Sequence, residues 1–249
     1  MRSVRMERIA LVFGIIVLGV AFAEAQQAPV TAQVEILKRG AETESVASGE
    51  TADRSNVVIW LSPLVRAAAA AESPSAQPVP QLVQHNKSFE PHVLVVQVGS
   101  EVRFPNKDPF FHNVFSLFDG KRFDLGLYEA GSSKSVRFDR AGVSFLFCNI
   151  HEQMSGVVIA VDTPYFGLSD RAGRVSIPNV PGGRYQMYVW FERSSVADLK
   201  NLDRVVTISD SARSLGKIRV LEKRNFTLAH KNKYGQDYVP PPTAGYSQP

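Results

Sequence analysis

The sequence is short of the side chains that cross-link chains and bind metals. Among 249 residues there are one cysteine, four methionines and five histidines. A single thiol excludes the disulfide framework that exported chains usually carry. No two histidines are spaced as H-x-H, which argues against an enzyme with several histidine-rich metal centres. The net charge is only +4 and the basic residues are scattered, so there is no footprint for nucleic acid. The apolar run from Ile9 to Phe22 is shorter than the ~18 residues that a membrane span needs. There is no internal repeat and no coiled coil.

The N-terminus reads as a targeting segment over residues 1–25. Arg2, Arg5 and Arg8 form a basic start, Ile9 to Phe22 an apolar middle, and Ala23-Glu24-Ala25 a small-x-small cleavage site. Cleavage is expected after Ala25. No cysteine lies near that point, so a lipid anchor is not expected. The mature chain should be periplasmic or secreted, with no stable membrane anchor. In such a compartment a lone cysteine is a liability, a link to another chain, or a ligand held as thiolate.

The ligand reading gains weight from the residues just after Cys148. FLFCNIHEQM, Phe145 to Met154, places His151 three residues after the cysteine and Met154 three residues after that. Thiolate, imidazole and thioether form a soft donor set of the kind that selects copper. Two histidines and a cysteine with a weak axial Met make an electron-transfer site. The second histidine must come from elsewhere, and His112 in DPFFHNVFS is the candidate. His85, His92 and His230 have no such company and read as ordinary surface or strand histidines.

Around this motif the pattern is that of an all-β chain. TAQVEIL (Thr31 to Leu37) alternates, and NVVIWLSPL (Asn56 to Leu64) is a buried-strand run that ends at a proline. Residues 26–80 thus hold N-terminal strands, a polar loop (Lys38 to Ser55) and a Ser/Pro linker from about Ala67. From Gln81 strand candidates come in close succession, separated by Gly99, Asp119-Gly120, Ala130-Gly131 and Ala141-Gly142. Alternation in GVSFLFC points Val143, Phe145 and Phe147 to one face and Leu146 and Cys148 to the other. Residues 163–224 carry further strands, broken at Asp170 to Gly173 and at Pro181-Gly182-Gly183. Residues 225–249 are polar with Tyr, Gly and Pro, including Pro240-Pro241-Pro242, and read as an extended tail.

Residues 81–162 resemble a cupredoxin. SFEPHVLVVQVGSEVRFPNKD, FFHNVFS, FDLGLYEAGSSKSVRF and GVSFLFCNIHEQMSGVVIAV occur in that family's order, and the C-x2-H-x2-M spacing is similar to the copper loop of amicyanins. The resemblance implies a Greek-key β-sandwich with one copper ion, cycling between Cu(I) and Cu(II). His112, Cys148 and His151 would be the near-trigonal ligands and Met154 the axial one. Asn113 is expected to bring its backbone N–H to the cysteine sulfur while its side chain ties the ligand loops together, and Asn106 is expected to add to that network. Pro109, Phe110, Phe111 and Ile150 would form an apolar patch where redox partners dock. Because Phe110 and Phe111 are adjacent, an extended chain would send one to the core and one to the patch. In some relatives the histidine corresponding to His151 protonates and leaves copper(I).

Residues 163–224 resemble the carboxypeptidase regulatory-like family of small, prealbumin-like β-sandwiches, on the run SDRAGRVSIPNVPGGRYQMYVW. Members usually begin with strands like NVVIWL, so residues 26–80 are expected to supply the first half of that sandwich, with the copper domain inserted between the halves. Val57 to Leu61 in the copper-domain sheet would refute this. Similar pairings have been labelled methylamine utilisation proteins, although no residue here specifies methylamine. The expected function is one-electron transfer between redox proteins, not enzymatic turnover. Copper handling, or a binding module with a vestigial site, is the alternative.

Overall fold

The computed structural model describes residues 28–38, 53–65, 78–117, 120–224, 226–227 and 230–238. The expected targeting segment and nearly all of the Ser/Pro linker lie outside these. Among the described residues the fold is all-β apart from one turn of helix, α1 (Val196–Lys200), which starts where Ser195 Oγ accepts the Asp198 N–H.

One group of strands surrounds the Cys148 loop. A five-stranded sheet runs β5 (Val93–Gln97), β11 (Ser155–Val161), β10 (Gly142–Phe147), β7 (His112–Ser116), β8 (Phe123–Tyr128). The β5–β11 pair is parallel and the other neighbours are antiparallel. The hairpin of β3 (Val83–His85) with β4 (Ser88–Glu90), and the pair β6 (Glu101–Pro105) with β9 (Ser133–Arg137), complete this body. Its core includes Leu82, Val102, Phe104, Val114, Phe138, Leu146 and Val158, with Cys148 and Met154 in the same cluster.

The second body has two sheets. One orders β12 (Phe166–Leu168), β2 (Val58–Pro63), β14 (Gly183–Trp190) and β15 (Arg204–Ile208). The other orders β13 (Arg174–Ile177), β1 (Val30–Lys38) and β16 (Ser214–Glu222). Strand β2 therefore lies between β12 and β14, away from the five-stranded sheet. Ile59, Leu61, Ile177, Met187 and Ile218 fill this core. The turn at Asp170 closes because Gly173 adopts φ +82° and donates its N–H to Asp170 O. A Cβ there would run into the Val34 carbonyl, so the position needs glycine.

The two bodies share an apolar seam. The five-stranded sheet turns Val93, Val95, Val157, Ile159 and Val161 toward the second core, and Phe145 packs against Trp190 with ring centroids 6.4 Å apart. Covering both faces explains why SGVVIAV is buried at every position and shows no alternation. In β10, Val143 and Phe145 pack toward this seam while Leu146, like Cys148 just past the strand, faces the inner core, as alternation predicts. His92 crosses the seam, with Nε2 2.7 Å from Glu192 Oε2 and Nδ1 3.2 Å from Ser155 O.

Candidate metal centre

The C-x2-H-x2-M spacing is the content of one hairpin loop. Strands β10 and β11 pair up to Phe147↔Ser155, so residues 148–154 form the connection. The loop is closed by its own backbone, since Cys148 N–H donates to Met154 O (3.1 Å) and Met154 N–H to His151 O (3.1 Å). Strand β7 pairs with β10 at Phe115↔Phe147, so His112, three residues back along β7, lies beside this loop.

The donors converge. Cys148 Sγ is 3.7 Å from His112 Nδ1 and 3.5 Å from His151 Nδ1, and the three donor atoms all lie within 4.8 Å of one another. Three N and S donors at bond lengths of roughly 2.0–2.3 Å around one ion would stand roughly 3.5–3.7 Å apart if trigonal. The donor set thus fits a single soft first-row ion. His112 and Cys148 are fully buried, Met154 is buried within the same loop, and His151 is half-buried.

Sequence reasoning missed the residue that orients His112. Asp108 Oδ2 lies 2.7 Å from His112 Nε2. Accepting the Nε2 proton leaves Nδ1 with its lone pair toward Cys148, an arrangement that fixes ring and tautomer in metal sites. The hairpin turn between β3 and β4 holds Asp108 in turn. Asn86 (φ +52°) and Lys87 (φ +56°) both adopt left-handed backbone, and their N–H groups donate to Asp108 Oδ1 (2.7 Å) and Oδ2 (2.9 Å). Burial raises the cost of charge on Asp108, yet the Lys87, His112 and Asn86 donors outweigh it and hold the carboxyl below its usual range. A carboxylate four residues before a candidate histidine was the available signal. The Asn86-Lys87 pair has no glycine and gave none.

Asn106 stitches the intervening loop. Its Nδ2 donates to Phe110 O (2.8 Å) and its Oδ1 accepts Asp108 N–H (3.0 Å). The Asn113 N–H approaches the Cys148 sulfur, as do the N–H groups of Ile150 and His151. Burial pushes the Cys148 thiol up, and these three donors pull it back by stabilising thiolate. The Asn113 side chain departs from expectation. Its Nδ2 donates to Asp124 Oδ1 on β8 (2.7 Å), not to the Cys148 loop. Burial, the largest cause, holds His151 below its ordinary value and favours the neutral imidazole, the form that can offer a lone pair.

Pro109, Phe110, Phe111 and Ile150 form an exposed apolar rim. Phe110 and Phe111 are 37% and 53% exposed, so neither enters the core. Residues 108–110 bend just before β7 instead of running extended, so strand alternation does not apply to Phe110 and Phe111. The Phe110 ring lies 5.2 Å from that of His112 and 5.6 Å from that of His151. His85 is exposed, as read from sequence. His92 instead bridges the two bodies, and His230, half-buried, stacks on Phe147 with centroids 4.2 Å apart.

No protein-family model matches the sequence, and no curated protein does. Among solved structures, a purple cupredoxin from Nitrosopumilus maritimus is similar over 33% of this chain and 99% of its own, at 24% identity and a TM-score of 0.31. A reduced amicyanin variant is similar over 41% of this chain and 99% of its own, at 24% identity and a TM-score of 0.32. A copper-containing nitrite reductase from Thermus scotoductus SA-01 matches 38% of this chain but only 25% of its own length, at 23% identity and a TM-score of 0.33.

Proposed function

We propose that this protein holds one copper ion through His112, Cys148, His151 and, more weakly, Met154, and passes single electrons between partner proteins outside the cytoplasm. The observation that carries the reading is the pair of imidazole Nδ1 atoms 3.7 and 3.5 Å from one buried thiol. When bound, such an ion would supply a Cu(I)/Cu(II) couple, which Met154 and the packing around the Cys148 sulfur would tune. The chain supplies the frame. Asp108 fixes the His112 tautomer, the N–H groups of Asn113, Ile150 and His151 favour thiolate, and β7, β10 and β11 hold the donors in place. Half-buried His151 reaches the apolar rim of Pro109, Phe110, Phe111 and Ile150, a surface suited to weak, transient docking.

Outside this body, the pairing of β2 with β12 and β14 supports a discontinuous regulatory-like sandwich in which the copper domain, about residues 81–162, is an insert. Its surface would serve docking or anchoring. The N-terminal leader of residues 1–25 supports export. No helix among the described residues is long and apolar enough to cross a membrane. With three histidines left after His112 and His151, and no H-x-H pair, the reading is electron transfer and not enzymatic turnover.

The test is expression with copper. The intact chain should bind one equivalent, show an intense thiolate-to-copper absorption band and cycle reversibly by one electron. Cys148→Ala should lose the band. A chain that binds copper without the band contradicts the proposal. The second reading, copper handling, draws on His151, the one imidazole donor with an open side. Fast metal loss to weak chelators would favour it over a carrier.

A further inference from the structure

Residues 230–238, part of the stretch read from sequence as an extended tail, lie against the metal centre. After β16 the chain leaves the second body, and residues 230–238 lie against the loop that carries Cys148. Asn232 shapes the segment: its Oδ1 accepts the N–H groups of Tyr234 (2.9 Å) and Gln236 (3.0 Å), and Gly235 N–H donates to Asn232 O (2.9 Å). This closed turn presents two side chains to the site.

Tyr238 OH donates to the Cys148 carbonyl at 2.6 Å, and its ring meets His230 edge-on at 5.3 Å, while His230 stacks on Phe147. Lys233 reaches both ligand-bearing segments. Its N–H donates to Asn149 Oδ1 (3.0 Å), one residue after Cys148. Its Nζ lies 2.7 Å from Asp124 Oδ2, and Asp124 Oδ1 accepts from Asn113, one residue after His112. One continuous chain of hydrogen bonds therefore runs Asn113–Asp124–Lys233–Asn149. This path ties the two ligand segments together, where the Asn113 side chain does not reach the loop directly.

We infer that residues 230–238 are a positioning element of the metal centre: Tyr238 holds the Cys148–Asn149 peptide by its carbonyl, and Lys233 ties the Asn149 side chain to Asp124, so that together they fix the direction of the Cys148 thiol. That peptide leads directly into Ile150 and His151, whose N–H groups approach the sulfur, so turning it moves thiol and donors relative to each other. The inference rests on the copper reading for its purpose, but its mechanics concern the metal-free chain equally.

The experiment uses the full chain with Tyr238→Phe, Lys233→Met and both together. Tyr238→Phe removes one oxygen and Lys233→Met keeps the stem, so the fold is retained. In metal-free protein the rate of Cys148 reaction with an aromatic disulfide should rise about fivefold for each single variant, the factor that corresponds to one lost hydrogen bond, and further for the double. Lys233→Arg should restore most of the Lys233 effect. In copper-loaded protein the thiolate band and the reduction potential should shift in the same order. Thiol rates within twofold of the parent chain in all variants would overturn the inference. If the parent chain gives no thiolate–copper band, the copper proposal fails, while the metal-free rates still decide whether the segment positions Cys148.

Discussion

The two β bodies share a strand-built architecture and an apolar seam, but they treat polar groups differently. Among the described residues, the body that carries the metal centre buries Gln84, Asn106, Asp108, His112, Asn113, Ser116, Ser144 and Ser155, whereas the second body and its edges bury only Thr163, Ser169 and Ser194. Those three are simple stitches, each hydroxyl donating to a backbone carbonyl: Leu61 O, Arg54 O and Leu221 O. The first body instead buries a carboxylate and an imidazole that hold each other, which is costly unless both are well hydrogen-bonded. Asp108 meets that condition with three donors. The contrast teaches that polar burial concentrates where donors must be aimed, and that an apolar sandwich suffices elsewhere.

The largest effect should come from cavities that separate the two cores. Met187→Ala in the second body and Leu146→Ala in the first should each lower stability by about 2–5 kcal/mol in denaturant titrations. Only Leu146→Ala, on the same face of β10 as Cys148, should also alter the copper absorption band. An altered band in Met187→Ala would break the comparison.

Next is Asp108→Asn. It removes the charge that accepts from His112, Asn86 and Lys87, so copper affinity measured by competition titration should fall about 10–100-fold. The folded pKa of Asp108 is depressed, so its contribution to stability is present above the ordinary carboxylate range and is lost as pH falls through the depressed value. The variant should flatten that part of the acid limb.

A smaller effect belongs to the seam. Both ring nitrogens of His92 face acceptors, and Glu192 raises its pKa despite burial. Its contribution is complete below the ordinary histidine value of about 6.5 and fades as pH rises through the raised one. His92→Gln should remove this pH dependence and cost about 1 kcal/mol or less at pH 6, read by thermal melts across pH.

The smallest structural effect should come from Phe111→Ser, within about 0.5 kcal/mol of the parent chain because the ring is half exposed. Electron exchange with a protein partner should nevertheless slow in stopped-flow traces. An unchanged rate would remove Phe111 from the docking patch.

Much of this was legible in residue order. The alternation of GVSFLFC set which side chains flank Cys148, and the proline and glycine breaks placed the turns at Gly99 and Gly173. Phe110 and Phe111 were misread because a bend, not a strand, carries them. Asp108 was passed over because its role depends on a left-handed Asn-Lys turn contributed by another hairpin. The contacts of Lys233 and Tyr238 had no local signature, since a polar segment reads as solvated whatever it touches.

By itself the sequence determined the strand periodicity and the three donors packed into a single hairpin loop, because both depend on spacing along a pleated chain. Only the tertiary structure decided which carboxylate holds His112, which backbone groups approach the sulfur, and where the C-terminal segment lies. The clamp on Asp108 and the docking of Lys233 join residues 22 and 109 positions apart, and even the short-range contacts depend on how the bends of residues 108–110 and 148–154 are held by neighbouring strands, which no local pattern encodes.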